Sequence, residues 1–296
     1  MYRYYKIFIT LLTVTLLING CKFDEAVEPV VDNNRIKLIS SYENEMPQYK
    51  IEFFYENQRI TSTMEYRYND NAWHEDEHTI IEYDGNLITI STEHVIDGLW
   101  NNKNQVQLLM NKDTIKQSTI FNWQDNHWSK EAYYTYTYRN NKFIDEVYWR
   151  LTNDSYVRDH KTMCFYKNGL IFEIRDYEIE QMILWVCNRV LSINKLSQNH
   201  LELVESIKND DGEWIQVNAC QLIYSNGKLR QFIEQTDAIN FSYNENGNLS
   251  QQIEDDGYIT TYSYETGKGN ASILAINPFN DVLKWPQIKS TKKAIP

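Results

Sequence analysis

Large aromatic residues recur along this chain at an interval close to 28 residues. Six rings form one series, with successive spacings of 27, 28, 28, 29 and 29 residues: Trp73, Trp100, Trp128, Tyr156, Trp185 and Trp214. Ten residues after each ring is a second position, held by Tyr83, Met110, Tyr138, Tyr166, Lys195 and Tyr224. Only Lys195 departs from a large hydrophobic residue there. A spacing held over six units predicts a repeat architecture in which each unit packs against its neighbours.

Turn signals divide each repeat into two halves. All seven glycines between residues 80 and 260 follow Asp or Asn, and Asx-Gly supplies the positive φ angles that tight hairpin turns need. One set of turns follows the Tyr position, as in Tyr83-Asp84-Gly85. The other set precedes the Trp position, as in Asp97-Gly98-Leu99-Trp100. Two turns in 28 residues leave two strands of about ten residues, so each repeat is predicted to be a long β-hairpin.

Residue alternation supports the strand prediction. Counting back from Tyr83 in steps of two gives Ile81 and Thr79, whereas Glu82 lies between them. This period of two is typical of an antiparallel strand with one buried face. The Trp positions have the same parity as these apolar residues, so we expect the Trp rings to lie on the buried face. All five prolines fall outside residues 48 to 277, as a sheet that uses every backbone N–H requires.

The predicted fold class is therefore all-β, an antiparallel meander of hairpin repeats of about 28 residues. We expect one domain over residues 35–265 with about fourteen to sixteen strands, forming a rolled sheet, a flattened barrel or a sandwich. Residues 266–296 are predicted to be a loop-rich C-terminal segment. Strand length also fits a transmembrane barrel, which stays open as an alternative.

The N-terminus has the pattern of a secretory signal. Arg3 and Lys6 precede a twelve-residue apolar run, which is too short to span a bilayer, so residues 1–20 are predicted to be a signal peptide. Ile18-Asn19-Gly20-Cys21 resembles the lipobox of bacterial lipoproteins. That resemblance implies that Cys21 is lipidated and becomes the first residue of the mature chain. Acyl chains on Cys21 would then anchor the protein in a bacterial envelope membrane, expected to be the outer membrane.

The segment after Cys21 carries a short acidic patch. Lys22-Phe23-Asp24-Glu25 resembles the surface-export signal of lipoproteins of the Bacteroidota. That resemblance implies display on the cell surface. The alternative is that residues 21–34 are a solvated linker between the lipid and the folded domain.

Charge excludes one class of partner. The full chain has a net charge of −12, and removing residues 1–20 leaves 27 basic and 41 acidic residues, a net charge of −14. Nucleic-acid binding needs clustered Lys and Arg, so no nucleic-acid partner is expected. Three cysteines besides Cys21 remain, namely Cys164, Cys187 and Cys220. They allow at most one disulfide, and the simpler interpretation is three small buried residues.

His74-Glu75-Asp76-Glu77-His78 matches the H-E-x-x-H pattern of zinc peptidases. That chemistry needs His74 and His78 on one face of a helix, with Glu75 as the general base. The segment lies inside the hairpin repeat, and in a strand Glu75 would point away from both histidines. We therefore assign no metal, catalytic or cofactor residue. A hydrolase, using zinc through His74, Glu75 and His78 or acting on glycans, stays as the alternative function.

One short segment resembles a known repeat. Tyr243-Asn244-Glu245-Asn246-Gly247-Asn248-Leu249, with Gly257 and Tyr262-Ser263-Tyr264-Glu265 after it, is similar to a single YD repeat of the RHS and wall-associated proteins. The resemblance covers about 23 residues and implies β-hairpins. Repeats of this kind build β-sheet shells or surface scaffolds, often associated with carbohydrate.

The sequence as a whole favours a non-enzymatic envelope lipoprotein. Its expected partners are the membrane, through the lipid on Cys21, and either a polysaccharide or an envelope protein. Aromatic residues make up 14% of the chain, which suggests sugar stacking. Most of the rings in the run Tyr133 to Tyr138 have the parity of the buried face. Tyr133 and Tyr148 have the opposite parity and are the better candidates for exposed contacts.

Overall fold

The computed structural model describes residues 34–112, 114–140, 142–153, 155–168, 170–180 and 184–266. The predicted signal segment, Cys21, the linker up to residue 33 and residues 267–296 lie outside this part of the chain. Across the described ranges, no helix has the length and apolar character needed to cross a membrane.

Residues 34–131 and 239–266 form one compact unit, here called the terminal unit, and residues 132–238 form a second, the central unit. The strands of the terminal unit, with β8 and β16 entering it only in part, are β1 Asn34–Glu43, β2 Met46–Glu56, β3 Arg59–Asn69, β4 Ala72–Asp84, β5 Leu87–Ile96, β6 Leu99–Asn111, β7 Thr114–Gln124, β8 His127–Arg139, β16 Asp237–Tyr243, β17 Leu249–Glu254 and β18 Tyr258–Thr266. The central unit contains the rest of β8 together with β9 Lys142–Thr152, β10 Ser155–Lys167, β11 Leu170–Glu180, β12 Leu184–Ser197, β13 His200–Lys208, β14 Trp214–Ser225 and β15 Lys228–Glu234.

Within each unit, strands consecutive in the chain pair in antiparallel fashion. The predicted all-β meander of hairpin repeats is therefore confirmed. The described residues form 18 strands rather than fourteen to sixteen, because the last hairpins are shorter than the repeat and contribute extra strands of six to nine residues. In the terminal unit β1 pairs with both β2 and β18.

Two-residue turns join many of these strands. Asp97 and Gly98 have φ angles of 52° and 77°, which a type I′ hairpin turn requires. Asp70-Asn71 and Asp125-Asn126 also have positive φ angles, 49° and 61° in each pair, without a glycine. Asn and Asp tolerate this backbone region because their short polar side chains bond locally. Turn positions predicted from Asx-Gly pairs therefore cover only part of the set.

Alternate residues of the strands form one buried apolar face in each unit. In the terminal unit the fully buried side chains include Ile39, Ile60, Ile90 and Leu108. In the central unit Ile174 and Leu203 are buried equally well. Burying an isoleucine or leucine side chain contributes roughly 1.5–3 kcal/mol. These β-branched and leucine side chains therefore fix which face of each strand is covered.

Two tyrosines at the second position of the repeat, Tyr83 and Tyr166, hydrogen-bond to the neighbouring strand. In the register between β8 and β9, Ile144 has no partner, so it forms a β-bulge just after Phe143. The Tyr166 hydroxyl, on the adjacent strand β10, donates to the Phe143 carbonyl at 2.8 Å. Lys142 lies over the Tyr166 ring, 5.0 Å from its centroid.

The same device recurs in the terminal unit. Tyr83 donates to the carbonyl of Ile60, which precedes the bulge at Thr61, and Tyr264 donates to the carbonyl of Leu249, which precedes the bulge at Ser250. Arg59 covers the Tyr83 ring, as Lys142 covers that of Tyr166. A bulge interrupts the backbone ladder, and the Tyr hydroxyl supplies the donor that a neighbouring carbonyl there needs.

We predict that Tyr166→Phe lowers the free energy of unfolding by about 1 kcal/mol, because the Phe143 carbonyl loses its hydroxyl donor while packing is kept. Urea denaturation of the purified chain measures this. Tyr68→Phe, on the exposed face of β3, is the matched control and should change stability by less than about 0.5 kcal/mol. Equal losses in both variants would contradict the bulge-sealing role.

Candidate functional site

Three residues after the repeated aromatic ring, the strand contains a β-bulge. This extra residue moves the side chains on its two sides to opposite faces from those that simple alternation would give. In the register between β3 and β4, Glu65 pairs with Glu77 and Tyr66 with Glu75, so Asp76 is a bulge. The registers that the structure describes place further bulges of this kind at Lys103 in β6, Asp159 in β10, Asn188 in β12 and Val217 in β14. Residues before the bulge point to the face opposite to the one that simple alternation predicts.

The expectation that the Trp rings lie on the buried face is therefore wrong. Trp73, Trp100 and Trp214 are among the exposed large hydrophobic residues, with 37%, 39% and 46% of their surface exposed. In the sequence, each of these rings is an even number of residues away from the buried residues of its strand, as predicted. The bulge inserts one residue between the two groups, and this moves the rings to the exposed face.

In the terminal unit, Trp73, Trp100 and Trp128 lie in a row at one end of the strands, close to the turns β3–β4, β5–β6 and β7–β8. Each ring packs against the strand that precedes it. Trp73 contacts Tyr68 edge to face at 5.1 Å, Trp100 pairs with Val95, and Trp128 contacts Trp123 at 4.9 Å. We call Tyr68, Trp73, Trp100, Trp123 and Trp128 the aromatic edge.

Other exposed apolar side chains lie at the same end of the terminal unit. Met46, Ile96 and Leu99 flank the turns β1–β2 and β5–β6, and Leu99 is 71% exposed. Antiparallel pairing puts these turns and the β3–β4 turn at one end of the strands. Met46, Ile96 and Leu99 therefore add exposed apolar side chains to the end of the terminal unit that carries the rings.

Polar side chains border the aromatic edge. His78 lies beside Trp100, with ring centroids 5.9 Å apart, and its Nδ1 is 3.8 Å from Glu93. The Lys50 ammonium is 5.5 Å from the Trp73 centroid and 4.1 Å from that of Tyr66. Exposed ring faces surrounded by hydrogen-bonding groups are suited to a ligand that is partly apolar and partly polar.

The central unit has a different aromatic cluster. Tyr133 stacks on Trp149 with centroids 5.5 Å apart and 9° between the planes, and Tyr156 meets Tyr133 edge to face. The Arg158 guanidinium lies 5.0 Å from the Trp149 centroid. Tyr133 and Arg158 thus both occupy positions against the Trp149 ring, and this cluster offers less open ring surface than the aromatic edge.

From parity, Tyr133 and Tyr148 were predicted to make exposed contacts. Neither ring is an isolated exposed side chain. Tyr148 stacks on His160 at 4.6 Å and contacts Tyr134 at 4.9 Å. The bulge at Ile144 precedes Tyr148 and puts it on the same face as Tyr134, which parity alone does not predict. Both tyrosines are half-buried.

The zinc-motif segment is a strand, β4, as the repeat predicts. The bulge at Asp76 separates His74 from His78, so the two imidazoles lie on opposite faces. Glu75 is on the face of Trp100 and His78 rather than that of His74. Across the described residues, no group of three or more His, Cys, Asp or Glu side chains is arranged to hold a metal ion.

The buried face becomes polar as it approaches the aromatic edge. Glu65 and Glu77 lie directly opposite each other on β3 and β4, Lys103 pairs with Glu77, and Arg67 pairs with Asp76 at 2.5 Å. Burial, followed by the negative charges of Glu77 and Asp76, raises the pKa of Glu65 to about 7. Glu65 therefore keeps its proton over much of the range in which a carboxyl group normally ionises.

A second polar network lies on the buried face of the central unit. Thr162 donates to Asp176 at 2.7 Å, and Arg189 bonds both Asp176, at 2.9 Å, and Glu205, at 2.6 Å. Glu146 lies opposite Thr162 in the register of β9 and β10. Burial, followed by the charge of Asp176, raises the pKa of Glu146 to about 7. The sequence analysis did not identify Glu65 or Glu146.

The three described cysteines are free thiols. Cys164 and Cys220 are buried and Cys187 is half-buried, close to the interpretation of small buried residues. Burial raises the pKa of the Cys220 thiol to about 12, and burial also raises that of Cys187. The thiols are therefore protonated and weakly nucleophilic at neutral pH.

The comparisons with known proteins give low similarities. No protein-family model and no curated protein sequence matches the chain. A protein of unknown function from Bacteroides fragilis NCTC 9343 is 13% identical with a TM-score of 0.37, and the match covers 39% of this chain and 91% of that one. A porin-like protein from Bacteroides uniformis ATCC 8492 is 11% identical with a TM-score of 0.39, over 78% and 96% of the two chains. A Tc holotoxin pore from Photorhabdus luminescens is 12% identical with a TM-score of 0.26, over 72% and 14%.

These similarities carry no statement about activity. The family resemblances seen in the sequence, to a lipoprotein and to a YD repeat, stay predictions. The Tyr243–Leu249 segment does contain a hairpin turn between β16 and β17, in which the Asn248 N–H donates to the Asn244 side chain at 2.9 Å.

We predict that the central unit loses stability as the pH rises because of Glu146. In the unfolded chain this carboxyl group ionises around pH 4.5, whereas in the folded chain it keeps its proton up to about pH 7. The unfolding free energy should therefore fall between about pH 4.5 and pH 7 and level off above that. Glu146→Gln should be near neutral at pH 4.5 and stabilising by roughly 3 kcal/mol at pH 8.

Urea denaturation of Glu146→Gln and wild type at several pH values measures this effect. Glu178→Gln, at an exposed position on β11, is the control and should show no pH-dependent gain. A gain for Glu146→Gln that is the same at pH 4.5 and pH 8 would show that the buried carboxyl group does not titrate in this range.

Proposed function

We propose that this chain is a lipid-anchored envelope protein that binds carbohydrate through its aromatic edge and catalyses no reaction. The observation that carries the proposal is the set of bulges that turn repeated Trp rings to the exposed face. Exposing an indole ring forgoes the burial that a large apolar side chain otherwise gains. A repeated arrangement that exposes such rings at one edge fits a binding surface.

Carbohydrate fits the chemistry of the aromatic edge better than a purely apolar partner. A pyranose ring has a flat face of C–H groups and a rim of hydroxyl groups. The exposed faces of Trp73 and Trp100 can stack on the C–H face, and nearby His78, Glu93 and Lys50 can bond hydroxyl groups. Pockets for such ligands combine aromatic walls with a few placed polar groups.

The position of the predicted anchor agrees with this role. Asn34 begins β1, which runs ten residues to the β1–β2 turn at the end of the terminal unit that carries the aromatic edge. A strand of that length spans roughly 33 Å. A lipid on Cys21 would therefore tether the chain at the other end of the strand and leave the aromatic edge directed away from the attachment point.

The binding tests also distinguish the proposed function from two alternatives, binding of an envelope protein and hydrolysis. An envelope protein would also bind an exposed aromatic edge, but it would not compete with oligosaccharides. The hydrolase alternative gains no support, because the facing carboxyl groups of Glu65 and Glu77 lie on the buried face and the zinc-motif histidines are on opposite faces.

We predict that Trp100→Ala weakens glycan binding by roughly tenfold, because it removes an exposed stacking surface. The full-length chain, purified in a detergent without a sugar headgroup, is run through native gels containing neutral or anionic polysaccharides. Phe54→Ala is the matched control, since Phe54 is 46% exposed but lies at the opposite end of the terminal unit. Failure of every polysaccharide to retard the wild-type chain, or equal losses in the two variants, would refute carbohydrate binding through this edge.

We also predict that cells expressing the wild-type chain incorporate a labelled fatty acid into it, and that Cys21→Ser abolishes the label. The thiol of Cys21 is the attachment atom that the lipobox resemblance implies. Fractionation should then find the wild type in the membrane pellet and the variant in the soluble fraction. Unchanged labelling in Cys21→Ser would rule out this anchor.

A further inference from the structure

Glu146 lies among aromatic side chains on the apolar face of the central unit. In the register of β8 and β9 it is directly opposite Tyr136. Tyr148, two residues further along β9, has the same face and is directly opposite Tyr134 on one side and His160 on the other. One carboxyl group and four rings therefore share one patch of this face. We call it the acid–aromatic cluster, formed by Tyr134, Tyr136, Glu146, Tyr148 and His160.

The rings of the acid–aromatic cluster contact one another. The centroid of Tyr148 is 4.9 Å from that of Tyr134 and 4.6 Å from that of His160, and the Tyr134 and Tyr136 centroids are 6.4 Å apart. Cβ atoms of directly opposite residues are about 5 Å apart in an antiparallel sheet, and those of diagonal neighbours about 7–8 Å. An aromatic ring attracts a cation within about 6 Å of its centroid. A cation beside the Glu146 carboxyl group is therefore within reach of several rings.

No basic side chain of the described residues is paired with Glu146. Within that part of the chain, Glu146 has neither a hydrogen bond nor an ion pair. The arginines on the same face are engaged elsewhere, since Arg189 bonds two other carboxylates and Arg150 pairs with Asp159 at 3.1 Å. A carboxyl group taken out of bulk water without a partner costs stability. The position beside Glu146 is therefore suited to a cation from outside the chain.

The acid–aromatic cluster keeps surface that a small molecule can contact. Glu146, Tyr148 and the other three members are half-buried, and no side chain of β9 is fully buried. Elsewhere on the apolar face of the central unit, Ile174 and Leu203 each retain only 1% of their surface. The close packing of that core therefore does not extend over the cluster.

We infer that the acid–aromatic cluster binds the primary ammonium group of a small organic molecule, with Glu146 accepting its N–H bonds and the rings facing its charge. Aromatic rings attract an alkylammonium ion, whereas a metal ion such as calcium needs six or more oxygen ligands, and the cluster supplies a single carboxyl group. This inference concerns the central unit and does not rest on carbohydrate binding by the aromatic edge.

Binding of an ammonium ion should stabilise the folded chain at pH 8. Glu146, with its pKa raised to about 7, is ionised there and has no partner of its own in the described residues. A ligand that binds the folded chain and pairs with this charge raises the urea midpoint. We expect n-propylammonium to bind with a dissociation constant of about 1 mM, an ordinary affinity for so small a ligand.

Ligand-observed NMR titration and urea denaturation of the full-length chain at pH 8 test this. Sodium chloride and 1-propanol at equal concentration should bind roughly tenfold more weakly or worse, because one lacks the N–H donors and the alkyl group and the other lacks the charge. Glu146→Gln should weaken n-propylammonium binding by roughly tenfold or more. This variant is expected to be more stable than the wild type at pH 8, so its loss of binding would not reflect unfolding.

Two further variants separate a binding site from a general effect of charge. Glu173→Gln is the matched control, because Glu173 is on the opposite face and pairs with Arg175, and it should bind like the wild type. Tyr148→Phe keeps the ring and should change the dissociation constant by less than about twofold, whereas Tyr148→Leu should raise it roughly three- to tenfold. Equal binding of sodium, unchanged binding by Glu146→Gln, an equal loss in Glu173→Gln, or equal affinities for the two Tyr148 variants would overturn the inference.

Discussion

One extra residue in the first strand of a repeat determines how this protein presents its aromatic side chains. Each repeat must bury the residues that follow the bulge, such as Thr79 and Ile81, against its neighbours. If the strand alternated without interruption, Trp73 would share that face and be buried with them. Because the bulge at Asp76 lies between them, one strand supplies core residues at one end and an exposed ring at the other.

A second set of bulges, near the opposite turns, is stabilised from the adjacent strand. Tyr83 and Tyr166, at the second position of their repeats, each donate a hydroxyl to the carbonyl before a bulge on the adjacent strand, a bond that a phenylalanine could not make. The basic residue over the ring, Arg59 or Lys142, directly precedes the residue whose carbonyl accepts the Tyr hydroxyl. Carbonyl, hydroxyl and cation thus form one local unit that occurs in both the terminal and the central unit. The two rings of the repeat therefore have different functions, one in presentation and one in stability.

The sequence predicted the parts of this structure that depend on local periodicity. Hairpin length, strand direction and many turns follow from the spacing of Trp73 and Tyr83 and from Asx-Gly pairs, because alternation and positive φ leave direct signatures. The face of each Trp could not be predicted in this way, since Asp76, Lys103 and Val217 share no residue type that marks a bulge. Glu65 and Glu146 were missed for the same reason. A bulge changes which parity is buried, so a buried carboxyl group looks exposed in the sequence.

The buried carboxyl groups and the exposed rings have a common origin. Glu77, opposite Glu65 on the core side of the bulge at Asp76, still lies on the buried face. This pair is close to the end of the strands, where charged residues replace the apolar core. The positive charges of Arg67 and Lys103 are used there to offset Asp76 and Glu77. They are consequently not available at the exposed edge two or three residues away. The aromatic edge is thus bordered by His78, Glu93 and Lys50 and by acidic turns, groups that can hydrogen-bond the hydroxyl rim of a sugar stacked on the rings.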